Sequence, residues 1–189
     1  MAKYQDRFRV ESARLPGWDY ASVGWYFVTI CTRDRVTVLG DVIDGKMQLS
    51  SIGEIVADEW QKTPQVRPNV TLDEWVIMPN HIHGIIVIET PQRGTGGPAD
   101  RLVSPGHAET PQRGVSTLAA GSLGAIIGQI KAACTKRIWA AGRTDFAWQM
   151  RFYDHIIRDP ISLRRIREYI ASNPARWMED KDNPANLWV

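Results

Sequence analysis

An α+β sandwich is the fold this chain predicts: a mostly antiparallel sheet with helices packed against it. Three observations lead there. Segments rich in β-branched and aromatic residues alternate with segments of helical period. Two of the strand-like segments are separated only by Pro79-Asn80, a turn signal that makes them an antiparallel pair. With 43% hydrophobic residues in 189, the chain can bury one sizeable core, so 1–189 is expected to be a single domain.

Trp25 to Thr32 is aromatic and β-branched and predicts a strand. Val36 to Leu39 and Lys46 to Leu49 flank Asp44-Gly45, the signature of a hairpin turn. Ser51-Ile52-Gly53-Glu54 has the form of a capping box. Ile52, Ile55, Val56, Glu59 and Trp60 then follow helical spacing, with Pro64 beyond the end. Val70 to Met78 predicts a second long strand, paired with His81 to Glu89 across the Pro-Asn turn. Residues 90–121 are rich in Gly, Pro, Ser and Thr, and the hexapeptide Glu-Thr-Pro-Gln-Arg-Gly occurs at 89–94 and again at 109–114, which predicts a flexible insertion. Leu123, Ile127, Ile130, Cys134 and Ile138 mark one face of a helix, and Phe146 to Ile157 is expected to be extended or mixed. Asp159-Pro160 supplies an N-cap and a proline at the first helical position. Leu163, Ile166, Tyr169 and Ile170 form the buried stripe of that helix, which Asn173-Pro174 ends. This order fits a ferredoxin-like arrangement best.

Composition excludes several classes. No apolar run is long enough to span a bilayer, and the N-terminus, with Lys3, Asp6, Arg7, Arg9 and Glu11, is too charged for a secretory signal. Cys31 and Cys134 are too few for a disulfide framework and read as buried free thiols in a cytoplasmic protein. The net charge is only +2 but unevenly placed. From Leu123 to Trp177 ten Lys or Arg stand against four acids, giving that segment +6 and the remainder −4. Such a half either faces a polyanion or is an ordinary solvated helix face.

The most informative feature is His81-Ile82-His83. In a strand, residues i and i+2 point to one face, about 6.5–7 Å apart along the chain. The two imidazoles then form half a site for one divalent metal, or else two satisfied core histidines. Zinc is not favoured: the chain has four histidines and no Cys-x-x-Cys pair. A second stretch, Trp148-Gln149-Met150-Arg151-Phe152-Tyr153-Asp154-His155-Ile156-Ile157-Arg158-Asp159, sets a tyrosine among Arg151, Arg158 and His155 just before a basic helix.

Together these stretches carry a resemblance. Val76-Ile77-Met78-Pro79-Asn80-His81-Ile82-His83-Gly84, Ser122-Leu123-Gly124-Ala125-Ile126-Ile127, Trp148-Gln149 through Arg158, and Tyr169-Ile170-Ala171-Ser172-Asn173-Pro174 occur in that order. In these motifs the chain resembles the REP-associated tyrosine transposases, a branch of the single-tyrosine HUH transposases of bacterial insertion sequences. The repeated 89–121 insertion departs from that pattern.

The resemblance implies a metal-dependent single-stranded DNA endonuclease and strand transferase. Mg²⁺ or Mn²⁺ held by His81 and His83 would polarise the scissile phosphate. Tyr153 would attack phosphorus, leaving a 5′-phosphotyrosine and a free 3′-hydroxyl. A phenol has an ordinary pKa near 10, so attack needs help from the metal and nearby cations. Two imidazoles leave the ion underligated. His155 is the candidate third ligand, since an extended 153–157 puts it on the face of Tyr153; packing or contact with DNA phosphate is the alternative. The substrate would be single-stranded or hairpin DNA, its backbone held by Lys131, Lys136, Arg151, Arg158, Arg164, Arg165 and Arg167. Such a protein would act as a monomer or homodimer. The competing reading is a non-catalytic nucleic-acid-binding regulator on the same scaffold, which would need neither the histidine pair nor Tyr153.

Overall fold

The computed structural model describes residues 15, 17–90, 120–180 and 182–186, with the backbone of 3–4 and 7–8. Most of the 90–121 insertion lies outside the described residues. Strands β1 (Lys3–Tyr4) and β2 (Arg7–Phe8) form a short ladder near the N-terminus. The body of the fold is a four-stranded antiparallel sheet built from β3 (Gly24–Cys31), β6 (Val70–Met78), β7 (His81–Ile88) and β8 (Tyr153–Ile157). Its spatial order is β6-β7-β3-β8, the ferredoxin-like order. The hairpin β4 (Gly40–Ile43) and β5 (Lys46–Leu49) stands apart from the sheet.

The second strand of the hairpin lies where predicted, at Lys46–Leu49, and the first is shifted. Val36 to Leu39 precedes the strand, which starts at Gly40 because that residue's φ of 141° suits glycine. Its turn is the expected one, with Asp44 and Gly45 both left-handed, φ 50° and 71°. Helix α1 (Ser51–Gln61) is capped one residue earlier than predicted: Ser50 Oγ accepts from Gly53 N at 3.1 Å. The short α2 (Thr63–Val66) follows. Helix α3 (Leu123–Ala140) is capped by Ser122. Helix α4 (Pro160–Ser172) starts where predicted, with Asp159 Oδ1 accepting from Ser162 N at 2.9 Å. The chain then runs through 3₁₀ turns at Pro174–Glu179 and Pro184–Asn186.

Alternation along the strands divides the core in two. Tyr26, Val28, Ile30, Ile82 and Ile86 face α1 and α3, where Ile52, Val56, Trp60, Ile126, Ile127, Ile130, Cys134 and Ile138 close the larger core. Phe27, Ile85, Val87 and Ile157 face α4, which contributes Leu163 and Ile170. Burial pushes the thiols of Cys31 and Cys134 up to about 11 and about 12, so both are protonated and inert at neutral pH. Among the described residues no helix is long and apolar enough to cross a membrane.

Candidate metal centre

The site grows from the end of one strand. Pro79-Asn80 turns the chain and β7 starts at His81, so His81 and His83 leave the sheet on the α4 face while Ile82 enters the larger core. Their Nε2 atoms meet 2.9 Å apart. The outer nitrogen of each ring is engaged: His81 Nδ1 lies 2.8 Å from Asn80 Oδ1, and His83 Nδ1 lies 2.9 Å from Thr29 Oγ1. Asp180 Oδ2 is 3.9 Å from His81 Nε2. His81, His83 and Asp180 each offer a ligand atom, all within 4.8 Å of one another.

Whether these residues suit a cation is a question of lone pairs. With each Nδ1 proton given to an oxygen acceptor, each Nε2 presents an unprotonated lone pair to the same space. Two facing lone pairs at that separation repel unless a proton or a cation lies between them. A carboxylate beside them favours positive charge further. Asn173 Oδ1, buried with no hydrogen-bond partner, is another oxygen in the same neighbourhood, since Asn173 hydrogen-bonds through its side chain to Tyr169. The donor set fits a divalent ion.

The centre is closed from solvent. His81 is 0% and His83 1% exposed. The segment after α4 forms the roof, with the Trp177 ring 6.1 Å from that of His81. Arg35 pins the roof through Asp182 at 2.6 Å.

Two tyrosines approach from different sides. Tyr169, on α4, puts its hydroxyl 3.1 Å from His83 Nε2. Burial pushes that hydroxyl above its ordinary value, Asp180 pushes it further, and the bond from Asn173 opposes both. Tyr153 opens β8 opposite Thr29, and Thr29 lies opposite His83 on the other side. Tyr153 is therefore on the correct face but two strand spacings away, about 10 Å at the backbone. The Phe27 ring sits among all three, with centroids 5.5 Å from His83, 6.1 Å from Tyr169 and 6.2 Å from Tyr153. His155 pairs with Phe27, one step further from the histidines than Tyr153, and is exposed. The group of close donors contains Asp180 and not His155.

The basic residues divide. Lys131 is half-buried, its Nζ donating to Gln149 O at 2.7 Å and Arg151 O at 3.3 Å. Burial pulls it down to about 8. Arg167 makes a bidentate pair with Asp73 at 2.6 and 2.7 Å and lies over the Trp25 ring. Lys136, Arg151, Arg158, Arg164 and Arg165 are exposed, Arg158 lying over Trp18.

Tyr169, Asn173 and Asp180 are not among the residues the sequence assigns to the site. The Tyr169-x-x-x-Asn173 spacing, which aligns two polar groups on one helix face, is the signal that carries the first two. Nothing local marks Asp180.

The fold is a four-stranded antiparallel sheet with a buried His-His-Asp group on its α4 face. A solved REP-associated tyrosine transposase, bound to a REP hairpin, has this fold: TM-score 0.54 over 96% of this chain and 77% of that one, at 19% identity. No family model matches the chain. An uncharacterized protein of Haemophilus influenzae is 38% identical over 172 residues, 90% of this chain and 91% of its own length, and this chain belongs to the same family.

Proposed function

We propose that this protein is a metal-dependent endonuclease and strand transferase for single-stranded, hairpin-bearing DNA, working through a 5′-phosphotyrosine. The observation that carries this reading is the Tyr169 hydroxyl 3.1 Å from His83 Nε2, beside a second imidazole and a carboxylate. His81, His83 and Asp180 would hold Mg²⁺ or Mn²⁺, and the mixed nitrogen and oxygen set suits Mn²⁺ better, since Mg²⁺ prefers oxygen. Bound there, the ion would supply Lewis acidity at the scissile phosphate.

The residues of the chain do the rest. Tyr169 is the nucleophile of choice: its oxygen bonds to phosphorus as the bond to the 3′ oxygen breaks. The phenolic proton is lost and the departing oxygen gains one. Asn173 orients the ring and favours the phenolate. Covalent storage of the phosphodiester lets a second strand end be joined without ATP. Tyr153 is the second candidate, favoured by its place on the same sheet face and its 47% exposure. His155 then contacts phosphate or completes the ligand set once substrate is bound.

The likeness to a transposase solved on a hairpin supports hairpin DNA as the substrate. Arg164 and Arg165, with Lys136, Arg151 and Arg158, would hold its backbone. Lys131 and Arg167 are committed to internal partners and contribute less. The test is incubation with hairpin-bearing single-stranded DNA and Mn²⁺, followed by denaturing electrophoresis. Cleavage should leave a free 3′-hydroxyl and a protein-blocked 5′ end. Binding without cleavage under every metal condition would favour the regulator instead.

A further inference from the structure

Asn80 precedes the first histidine and is fully buried, and every polar atom of its side chain is engaged. Its Nδ2 donates to Asp182 O at 2.7 Å and to Arg35 O at 3.0 Å. That fixes which end of the amide is which, and leaves Oδ1 as the acceptor facing His81 Nδ1 at 2.8 Å. An acceptor there requires the proton on Nδ1, so Nε2 carries the lone pair. Two residues before Asp182, Asp180 is held in turn: its Oδ1 accepts from Asp182 N at 2.7 Å, which leaves Oδ2 toward His81. One side chain thus grips both halves of a group whose members lie about a hundred residues apart. Arg35, whose carbonyl Asn80 also holds, has a left-handed φ of 56° next to Asp34 at 54°. Two such residues in succession cost free energy and persist only where their surroundings hold them.

We infer that Asn80 is the positioning residue of the metal centre: it sets the tautomer of His81 and docks the Asp180–Asp182 loop onto it. This rests on the reading of His81, His83 and Asp180 as metal ligands. Two variants separate its two roles. Asn80→Asp keeps an acceptor for His81 Nδ1 but cannot donate to the carbonyls of Arg35 and Asp182. Asn80→Ala loses both.

The test uses the full chain. Titration calorimetry with Mn²⁺ alone should show affinity falling about 10- to 100-fold in Asn80→Ala, the range for losing an outer-shell partner. Imidazole ¹⁵N shifts in the metal-free protein should show His81 as the Nδ1–H tautomer in the wild type and in Asn80→Asp, and mixed in Asn80→Ala. Hydrogen exchange at the Asp182 amide should accelerate in both variants. Wild-type Mn²⁺ affinity, or an unchanged tautomer, in Asn80→Ala would overturn the inference. Should Asn80→Ala fail to fold, unchanged exchange at Asp182 in Asn80→Asp would overturn it. A wild-type protein that binds no Mn²⁺ would refute the ligand reading instead, while the tautomer and exchange measurements would still decide the role of Asn80.

Discussion

Gly84 follows His83 in β7, and Gly84→Ala should cost stability through one identifiable clash. A Cβ built on Gly84 would lie 2.4 Å from Trp60 Cζ2, 3.0 Å from Trp60 Cη2 and 3.1 Å from Trp75 Cβ. Carbon atoms prefer about 3.5–4.0 Å, so the nearest approach is short by more than about 1 Å. Trp60 is fully buried in α1 and cannot swing into solvent. The strand must retreat from α1, or the indole must leave its rotamer. Overpacking of this kind costs about 1–3 kcal/mol. At about 2–4 °C per kcal/mol for a chain of this size, the midpoint should fall by roughly 2–12 °C. Because the retreat carries His83 with it, Mn²⁺ binding should weaken as well. Thermal unfolding of Gly84→Ala, Trp60→Leu and the double variant forms a cycle. In the Trp60→Leu background the added methyl should cost much less. An equal cost in both backgrounds would refute the clash with Trp60 as the cause.

Three further expectations follow from the same geometry. Lys131 has its ordinary value of 10.5 lowered to about 8 by burial, so the unfolded chain holds that proton more tightly than the folded one. Stability from this group is therefore least below about 8 and rises as pH climbs toward 10.5; urea unfolding of wild type against Lys131→Met at pH 7 and pH 10 should move in favour of the wild type, and a constant difference would count against the burial. Replacing Arg164 and Arg165 by Ala should weaken hairpin binding and flatten its salt dependence by about one unit of log–log slope for each phosphate left unneutralised, whereas unchanged binding makes them a solvated face. Asp159→Ala removes the α4 cap and should cost about 0.5–2 kcal/mol, measured by denaturant unfolding.

Much of the architecture is legible because period and punctuation agree. Asp159-Pro160, Asp44-Gly45 and Pro79-Asn80 each mark a boundary that the fold keeps. Local register is less legible: Ser50 and Ser51 are both serines, and only the path of the chain decides that Ser50 caps α1. At the centre, the alternation of His81 and His83 fixes their shared face. Tyr169 reads as core because 163, 166, 169 and 170 share one helix face, yet only Leu163 and Ile170 are buried; the Tyr169 ring packs by Phe27 while its hydroxyl reaches His83. Asp180 lies in an irregular segment with no periodicity to read, and is brought to His81 by the bonds that Asn80 and Arg35 make with Asp182.

We propose that a tyrosine on α4, not on β8, takes the DNA. Tryptic digestion separates the two candidates, because Tyr153 falls in the peptide Phe152–Arg158 and Tyr169 in Glu168–Arg176. After reaction with hairpin DNA and Mn²⁺, then nuclease trimming, mass spectrometry should find the nucleotide adduct on Glu168–Arg176. It should vanish in Tyr169→Phe and persist in Tyr153→Phe. An adduct on Phe152–Arg158, or one that survives Tyr169→Phe, would contradict the assignment.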